Sequence, residues 1–274
     1  MMKKTYKKIH SKLSENLKPK IRPSNVKAER IAKVIARSGL CSRREAERLI
    51  TSGKVKVNNK TLLECGVNVS SKDQIEVNDQ PLPTKVNTKL WLYYKQRGYL
   101  VTNYDPEGRP TIFDQLKKKQ DTRFISVGRL DMDSEGLLLL TNDGDLARKL
   151  ELPSTGWLRK YRVRVHGYVI NKDLELLKHG ITIDGIRYGK IDAKLDKQQS
   201  SNAWLTLGIR EGKNREVRRV MNHLGYNVNR LIRISFGPFQ IKNLVSGEIE
   251  LVKNKILNDQ LGFSKPLNKN KKKF

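Results

Sequence analysis

The chain has 274 residues, enough for one large domain and one small one. It carries 56 Lys+Arg against 28 Asp+Glu, a formal net charge of +28, which calls for a polyanionic partner held through charge. A hydrophobic fraction of 37% beside 31% charged residues leaves part of the chain as tail rather than core. No run approaches the roughly 18 apolar residues of a spanning helix, and neither the four histidines nor the two cysteines show metal-ligand spacing.

Residues 1–27 are rich in lysine, with Glu15 the one acid, and lack the apolar stretch of a secretory signal. They read as a solvated basic tail; organellar transit peptides favour arginine and serine instead. Residues 28–80 read as a small module. Ile31, Val34 and Ile35 sit at helical spacing, with Gly39 as a stop. Ser42-Arg43-Arg44-Glu45 is a capping box opening a second helix, with Ala46, Leu49 and Ile50 inward and Gly53 at its end. Arg44 and Arg48 are four apart and share a face, with Arg43 beside them. Val55 and Val57 alternate with Lys54 and Lys56, an Asn58-Asn59 turn follows, and Ile75 and Val77 repeat the alternation. Cys41 and Cys65 read as reduced, small hydrophobic residues of a cytoplasmic protein. Residues 81–88, with two prolines, read as a linker.

A larger domain is expected over residues 89–258. Leu90, Leu92 and Tyr94 alternate with Trp91 and Tyr93 and predict a strand. Asp105-Pro106-Glu107-Gly108-Arg109-Pro110-Thr111 is a rigid polar turn. Strands over 124–127 and 137–141 bracket a tight loop that must fix Arg129 and Asp131 between two apolar runs. Asp133 and Asp143 are nearby acids, so the residues alone leave open which carboxylate works. Asn142-Asp143-Gly144 turns the chain into a helix through Leu146 and Leu150, capped by Asp143. Tyr161-Arg162-Val163-Arg164-Val165 is a strand, as is the alternation Leu205, Leu207, Ile209. Glu211-Gly212-Lys213-Asn214 leads into a helix with Val217, Met221 and Leu224 inward and Gly225 as stop. On that helix Arg218 borders the buried face, while Arg215 and Arg219 share a more exposed one. Residues 259–274 form a second basic tail. Antiparallel-looking strands with few helices between them predict an α+β fold: a small module of helices and strands, then a large mixed, mostly antiparallel sheet flanked by helices.

Several of these segments resemble one family. Ser42-Arg43-Arg44 and Gly53-Lys54-Val55-Lys56-Val57-Asn58 resemble an S4-type RNA-binding domain. The loop Val127-Gly128-Arg129-Leu130-Asp131 with its following Gly136-Leu137-Leu138 resembles the catalytic signature of the RsuA/RluB-type ribosomal RNA pseudouridine synthases. The 105–111 turn, Arg159-Lys160-Tyr161 and Glu211-Gly212-Lys213-Asn214-Arg215-Glu216-Val217-Arg218-Arg219-Val220 are similar to further segments of the same family. The resemblance covers about residues 28–251.

That resemblance implies isomerisation of uridine to pseudouridine in ribosomal RNA. The sequence form points to the large-subunit branch, with the small-subunit branch as near alternative. The reaction breaks the C1′–N1 bond, turns the base and reattaches it through C5; nothing is oxidised, so no cofactor and no metal are expected. Asp131 is implied as the catalytic carboxylate, Tyr161 as the ring stacked on the base, and Arg218 as the cation paired with the aspartate, with Arg219 left as rival. Arg129 is implied to fill the gap left by an extruded uridine or to grip phosphate. Arg43, Arg44, Arg48, Lys54, Lys56, Lys213, Arg215 and Arg219 are expected to bind RNA. The expected partner is ribosomal RNA, free or in a pre-ribosomal particle, and the expected state is a cytoplasmic monomer away from membranes. Departures from the family pattern are Met132-Asp133-Ser134-Glu135 and the basic tails. A non-catalytic ribosome-assembly factor would share the charge and the S4-like module but would not need Asp131, Tyr161 and Arg218 together.

Overall fold

The computed structural model describes residues 28–84, 86–120 and 122–261. The two basic tails lie outside the described residues, apart from 259–261. The chain divides between Val86 and Asn87 into two compact units.

The first unit holds β1 (Glu29–Arg30), α1 (Ile31–Arg37), α2 (Arg43–Thr51), β2 (Val55–Val57), β3 (Lys60–Leu62), β4 (Asn68–Val69), β5 (Ile75–Val77) and β6 (Gln80–Pro81). Four strands form an antiparallel sheet in the order β3-β2-β5-β6, and β1 pairs with β4. Helical spacing in α1 buries Ile31, Ala32 and Ile35 against Ala46 and Ile50 of α2 and Val55, Val69 and Val77 of the strands. Ser42 starts α2 as expected, its Oγ accepting the Glu45 N–H at 3.0 Å. The box is only half closed, because the Glu45 carboxylate turns to Arg48 at 2.9 Å instead of reaching back. Asn58 and Asn59 take φ of 50° and 65°, the left-handed pair that a two-residue hairpin turn demands. Pro81, expected to open the linker, instead joins Gln80 in pairing along the β5 edge, where a proline costs no ladder bond.

The second unit holds β7 (Leu90–Lys95), α3 (Ile112–Lys117), β8 (Ile125–Val127), β9 (Glu135–Thr141), α4 (Gly144–Glu151), β10 (Arg159–His166), α5 (Asn171–Leu176), β11 (Ile181–Ile183), β12 (Ile186–Tyr188), β13 (Asp192–Gln199), β14 (Asn202–Ile209), α6 (Glu216–His223), β15 (Asn227–Phe236), β16 (Phe239–Gln240), β17 (Ile249–Leu251) and α7 (Asn254–Leu261). The main sheet runs β13-β14-β10-β15-β9-β7-β17, with β16 beside β15 and β8 beside β9. Its pairings are antiparallel except β15–β9.

The strand β7 forms where the alternation of Leu90, Leu92 and Tyr94 with Trp91 and Tyr93 predicts it, and Leu90, Trp91, Leu92 and Tyr93 are all buried. Alternation here separates two cores. Trp91, Tyr93, Leu138 and Leu140 join one apolar cluster, while Leu90, Leu92, Leu137 and Leu139 join the other. Helices cover both faces, so the run of four leucines needs no polar side. The parallel contact of β9 with β15 needs glycine: a Cβ on Gly136, at φ 102°, would stand 2.4 Å from the Arg233 carbonyl oxygen. That close approach anchors the start of β9, and with it the loop that precedes it.

Candidate active site

The loop between β8 and β9 is tied at both ends and from behind. Gly128, at φ 67°, donates its N–H to Glu151 Oε1 at 2.6 Å, and Ser134 N–H closes back on the Asp131 carbonyl at 3.0 Å. Leu130 is buried, so the residues on either side of it are turned towards the surface. The Gly98 N–H donates to the Met132 carbonyl at 2.8 Å. Beneath lies Lys95, fully buried at the end of β7. Its ammonium donates to the carbonyls of Ser134 (2.7 Å), Gln96 (2.9 Å) and Met132 (3.4 Å). Burial pushes its pKa down to about 8, against the attraction of Asp131, Asp133 and Glu135.

Two arginines face the loop from the segment before and inside α6. Arg215 sits at φ 51°, a left-handed residue preceding the helix rather than a member of its exposed face. That turn directs its guanidinium to Asp133 at 3.2 Å from both carboxylate oxygens, and to Asp131 at 3.7 Å. Arg218, one turn later, donates to the Val228 carbonyl (2.9 Å) and the Asp133 carbonyl (3.0 Å) and pairs with the Asp133 carboxylate at 3.2 Å. The expected pairing of Arg218 with Asp131 is therefore corrected: Arg218 holds Asp133, and among the described residues the cation within 4 Å of Asp131 is Arg215. The reason is local, since the left-handed turn at Arg215 brings a second guanidinium to the loop ahead of the helix. Arg219 is exposed.

The electrostatics separate the two aspartates. Burial raises the Asp133 pKa, but the Arg215 hydrogen bond and the charges of Arg218 and Arg215 outweigh it and leave the group lowered. Burial lowers the Arg218 pKa, and its Nε has no hydrogen-bond partner among the described residues. Asp131 is one-third exposed, and among the described residues its carboxylate accepts no hydrogen bond.

Asp131 opens onto a cavity of about 370 Å³, also lined by Arg129, Arg159, Tyr161, Arg233 and Phe236. Tyr161 lies on β10, directly across from Arg233 on β15 and Leu207 on β14. The Arg159 and Arg233 guanidinium groups lie 4.8 and 5.1 Å from the Phe236 ring centre. Arg159 donates to the carbonyls of Arg210 and Glu211 at 3.0 and 2.6 Å. Arg233 donates through Nε to the Leu137 carbonyl at 2.7 Å, and burial lowers its pKa. Glu216, buried at the first turn of α6, accepts the Lys213 N–H at 2.9 Å, and burial raises its pKa. Lys213 also lines the cavity, its ammonium paired with Glu211.

In the first unit Arg43, Arg44 and Arg48 are all exposed on α2. Arg43 and Arg48 pair with Glu47 and Glu45 of their own helix, contacts of small energy that an incoming phosphate can displace. Lys54 is exposed, while Lys56 is paired with Asp79 at 2.5 Å. The structure thus brings Asp131, Tyr161, Arg129, Lys213 and Arg215 to one cavity and sets Arg218 just behind it. Lys95, Arg233 and Glu216 were not among the residues singled out from sequence. Their signal, a charged residue inside an apolar strand or helix face, is indistinguishable there from an outward-facing one.

A profile of the RNA pseudouridylate synthase family matches residues 89–223, and an S4 domain profile matches residues 29–75. The chain is 47% identical over 232 residues to an uncharacterised RNA pseudouridine synthase of Rickettsia felis, covering 84% of this chain and 99% of that protein. It is 38% identical over 258 residues to the ribosomal large subunit pseudouridine synthase B of Haemophilus influenzae, covering 89% of this chain and 72% of the relative. A crystal structure of a pseudouridylate synthase aligns with a TM-score of 0.58 at 27% identity, over 85% of this chain and 99% of that one.

Proposed function

The chain belongs to the RNA pseudouridylate synthase family, and we propose that it isomerises a specific uridine of large-subunit ribosomal RNA, with Asp131 as the catalytic carboxylate. The observation that carries this reading is the state of Asp131. It opens on a cavity able to take a nucleotide, has Arg215 at 3.7 Å, and spends no lone pair on a hydrogen bond among the described residues. Asp133, two residues on, is consumed by Arg215 and Arg218. The large-subunit assignment is supported by the relatives named for that substrate at 36–38% identity.

The uridine leaves its stack and enters the cavity, a cost that protein contacts repay. Asp131, with the Arg215 guanidinium beside it, acts as nucleophile or base as the C1′–N1 bond breaks. The freed uracil turns against the Tyr161 ring, the C5–C1′ bond forms, and the proton leaving C5 is balanced by one gained at N1. Arg218 acts through Asp133: it fixes the loop that carries Asp131 instead of touching the carboxylate itself. Arg129, exposed at the cavity wall, fills the space left in the RNA stack. The S4-like unit grips the RNA through Arg43, Arg44, Arg48 and Lys54.

Carbodiimide mapping of ribosomal RNA from cells with and without the protein tests the assignment. One large-subunit pseudouridine is expected to vanish in its absence and to return with the wild-type protein but not with Asp131→Asn. A mark restored by Asp131→Asn, or lost from small-subunit RNA instead, would overturn the corresponding half of the proposal.

A further inference from the structure

On the far side of the Arg129–Asp131 segment lies a second cavity of about 410 Å³. Its wall is the 100–109 loop, including Leu100, Val101, Tyr104 and Arg109, facing Met132. Arg129, Leu130, Asp131 and Arg215 line both cavities, so the two adjoin across the signature loop. Tyr104 is 78% exposed, and Met132 is 39% exposed. A large open ring and an open thioether beside a catalytic cavity, on so polar a chain, are candidates for a contact rather than for core.

The loop that presents Tyr104 is rigid. Leu100 and Pro110 are bridged through the Leu100 N–H at 2.9 Å, and Ile112 N–H returns to the Leu100 carbonyl at 3.0 Å. Thr102 Oγ1 donates to the Tyr104 carbonyl at 2.7 Å and accepts the Tyr104 N–H at 3.3 Å. Asp105 takes three donors from Arg109, at 2.7 to 3.1 Å, and those bonds hold its pKa down. A backbone held this way presents the ring from a fixed point, so the main chain loses little freedom when something stacks there.

Charge decides what that something is. Arg109 is neutralised by Asp105 and Glu107, and Arg215 by Asp131 and Asp133. Arg129 alone of the three arginines has no ion pair among the described residues. A cavity in which Tyr104, Met132, Leu100, Val101 and Leu130 stand among Thr102 and ion-paired Asp105, Arg109, Asp131 and Arg215, with Arg129 the one unpaired arginine among the described residues, offers a planar base both a ring to stack on and polar groups for its edge, and offers a phosphate one free cation. Extruding the target uridine also deprives its neighbour of a stacking partner.

We infer that this second cavity is a subsite for an unpaired nucleobase adjoining the target uridine, stacked on Tyr104 and divided from the catalytic cavity by Arg129. The inference rests on the proposed uridine isomerisation and adds a determinant of which uridine is chosen.

The test uses the full chain and ribosomal RNA stem-loops containing the target, intact or abasic at each of the two positions on either side. Tyr104→Ala is expected to raise Kd and KM about 5- to 150-fold, the ~1–3 kcal/mol that one base gains on an aromatic ring, with kcat retained. Tyr104→Phe keeps the ring and should behave as wild type. One abasic RNA should bind wild type and Tyr104→Ala equally weakly, because the base that meets the ring is already missing. If Tyr104→Ala binds intact RNA as wild type does, or is impaired by the same factor on every abasic RNA, the subsite is wrong. Failure of the isomerisation reading would look different: wild type would make no pseudouridine on any stem-loop, while the binding cycle would still report on the subsite.

Discussion

Replacing Lys95 by methionine should make the stability gap between wild type and variant depend on pH with a slope fixed by the structure. Lys95 is fully buried and titrates at about 8 instead of 10.5. Each tenfold change in proton affinity is about 1.4 kcal/mol, so keeping the lysine charged in the fold costs about 3 kcal/mol. The folded pKa lies below the unfolded one, so between pH 8 and 10.5 the unfolded chain binds more protons and stability rises with pH. Below pH 8 the cost is present in full; it fades as pH climbs towards 10.5. Methionine fills similar volume without that cost. It leaves the Ser134 carbonyl without its donor, at about 1–3 kcal/mol, but that loss does not vary with pH. Urea melts of both proteins at pH 7, 8, 9 and 10 should show wild type gaining on Lys95→Met by roughly 2–3 kcal/mol across the series. Groups common to both chains cancel in the difference. The variant should also lose at least about tenfold in single-turnover rate, with RNA affinity retained, because the Met132 and Ser134 carbonyls lose their clamp. A gap that stays constant from pH 7 to 10 would refute the lowered pKa and the burial cost assigned to Lys95.

Three substitutions in α6 are expected to separate by role. Arg218→Ala removes the partner of Asp133 and of two carbonyls, so the single-turnover rate should fall about 100-fold or more, Arg218→Lys should keep part of it, and Arg219→Ala should mainly weaken RNA binding. Because Arg218 helps hold the Asp133 pKa below its usual 3.8, stability of the wild type is present above that pH and lost as pH falls below it. In Arg218→Ala the acid loss should begin at higher pH, which acid titration followed by intrinsic fluorescence reads directly; coincident acid limbs would deny Arg218 its role. Replacing Arg43, Arg44 and Arg48 together by alanine should lower the slope of log affinity against log salt by up to about 0.9 for each phosphate contact on a duplex target, without altering the melt of the second unit. An unchanged slope would leave those arginines as mere solvated surface.

Much of the fold could be read from residue spacing because the relevant signals are local. Ser42 caps α2 and Asp143 caps α4 where the sequence placed them, with Asp143 Oδ1 accepting the Asp145 and Leu146 N–H groups at 2.9 and 3.4 Å. The helix α3 escaped notice because its six residues follow a turn whose proline and glycine dominate, and its Thr111 cap is visible only once the 3.2 Å bond from Asp114 N–H is seen. The strand β15 escaped for a different reason. It runs through the middle of the sheet, yet the buried Arg233 interrupts its apolar alternation. Only the tertiary structure shows that this arginine spends its charge on the Leu137 carbonyl and the Phe236 ring. The same limit applied at the site. Asp131, Arg129 and Tyr161 were placed by resemblance, but a left-handed residue at Arg215 has no signature in Asn214-Arg215-Glu216, so the pairing of arginines to aspartates could not be assigned in advance.

That pairing gives the Asp131-Met132-Asp133 sequence a physical logic. A loop with two carboxylates two residues apart, near three cations, could have neutralised both. Instead Asp133 takes the bidentate contact from Arg215 and the half-buried contact from Arg218, while Lys95 fixes the intervening carbonyls from below. Asp131 is left with one long contact. Strong pairing of Asp131 would have tethered its oxygens, which opposes the nucleophilic role proposed for it. Removing the cations would have left it unsteered at the cavity edge. Giving the tight pairing to Asp133 fixes the backbone of the loop while the Asp131 carboxylate keeps its oxygens clear of hydrogen bonds among the described residues. On this logic the role of Asp133 is structural, so Asp133→Asn should lower the melting temperature and loop order, whereas Asp131→Asn should lower the single-turnover rate alone, with the melt and RNA affinity unchanged.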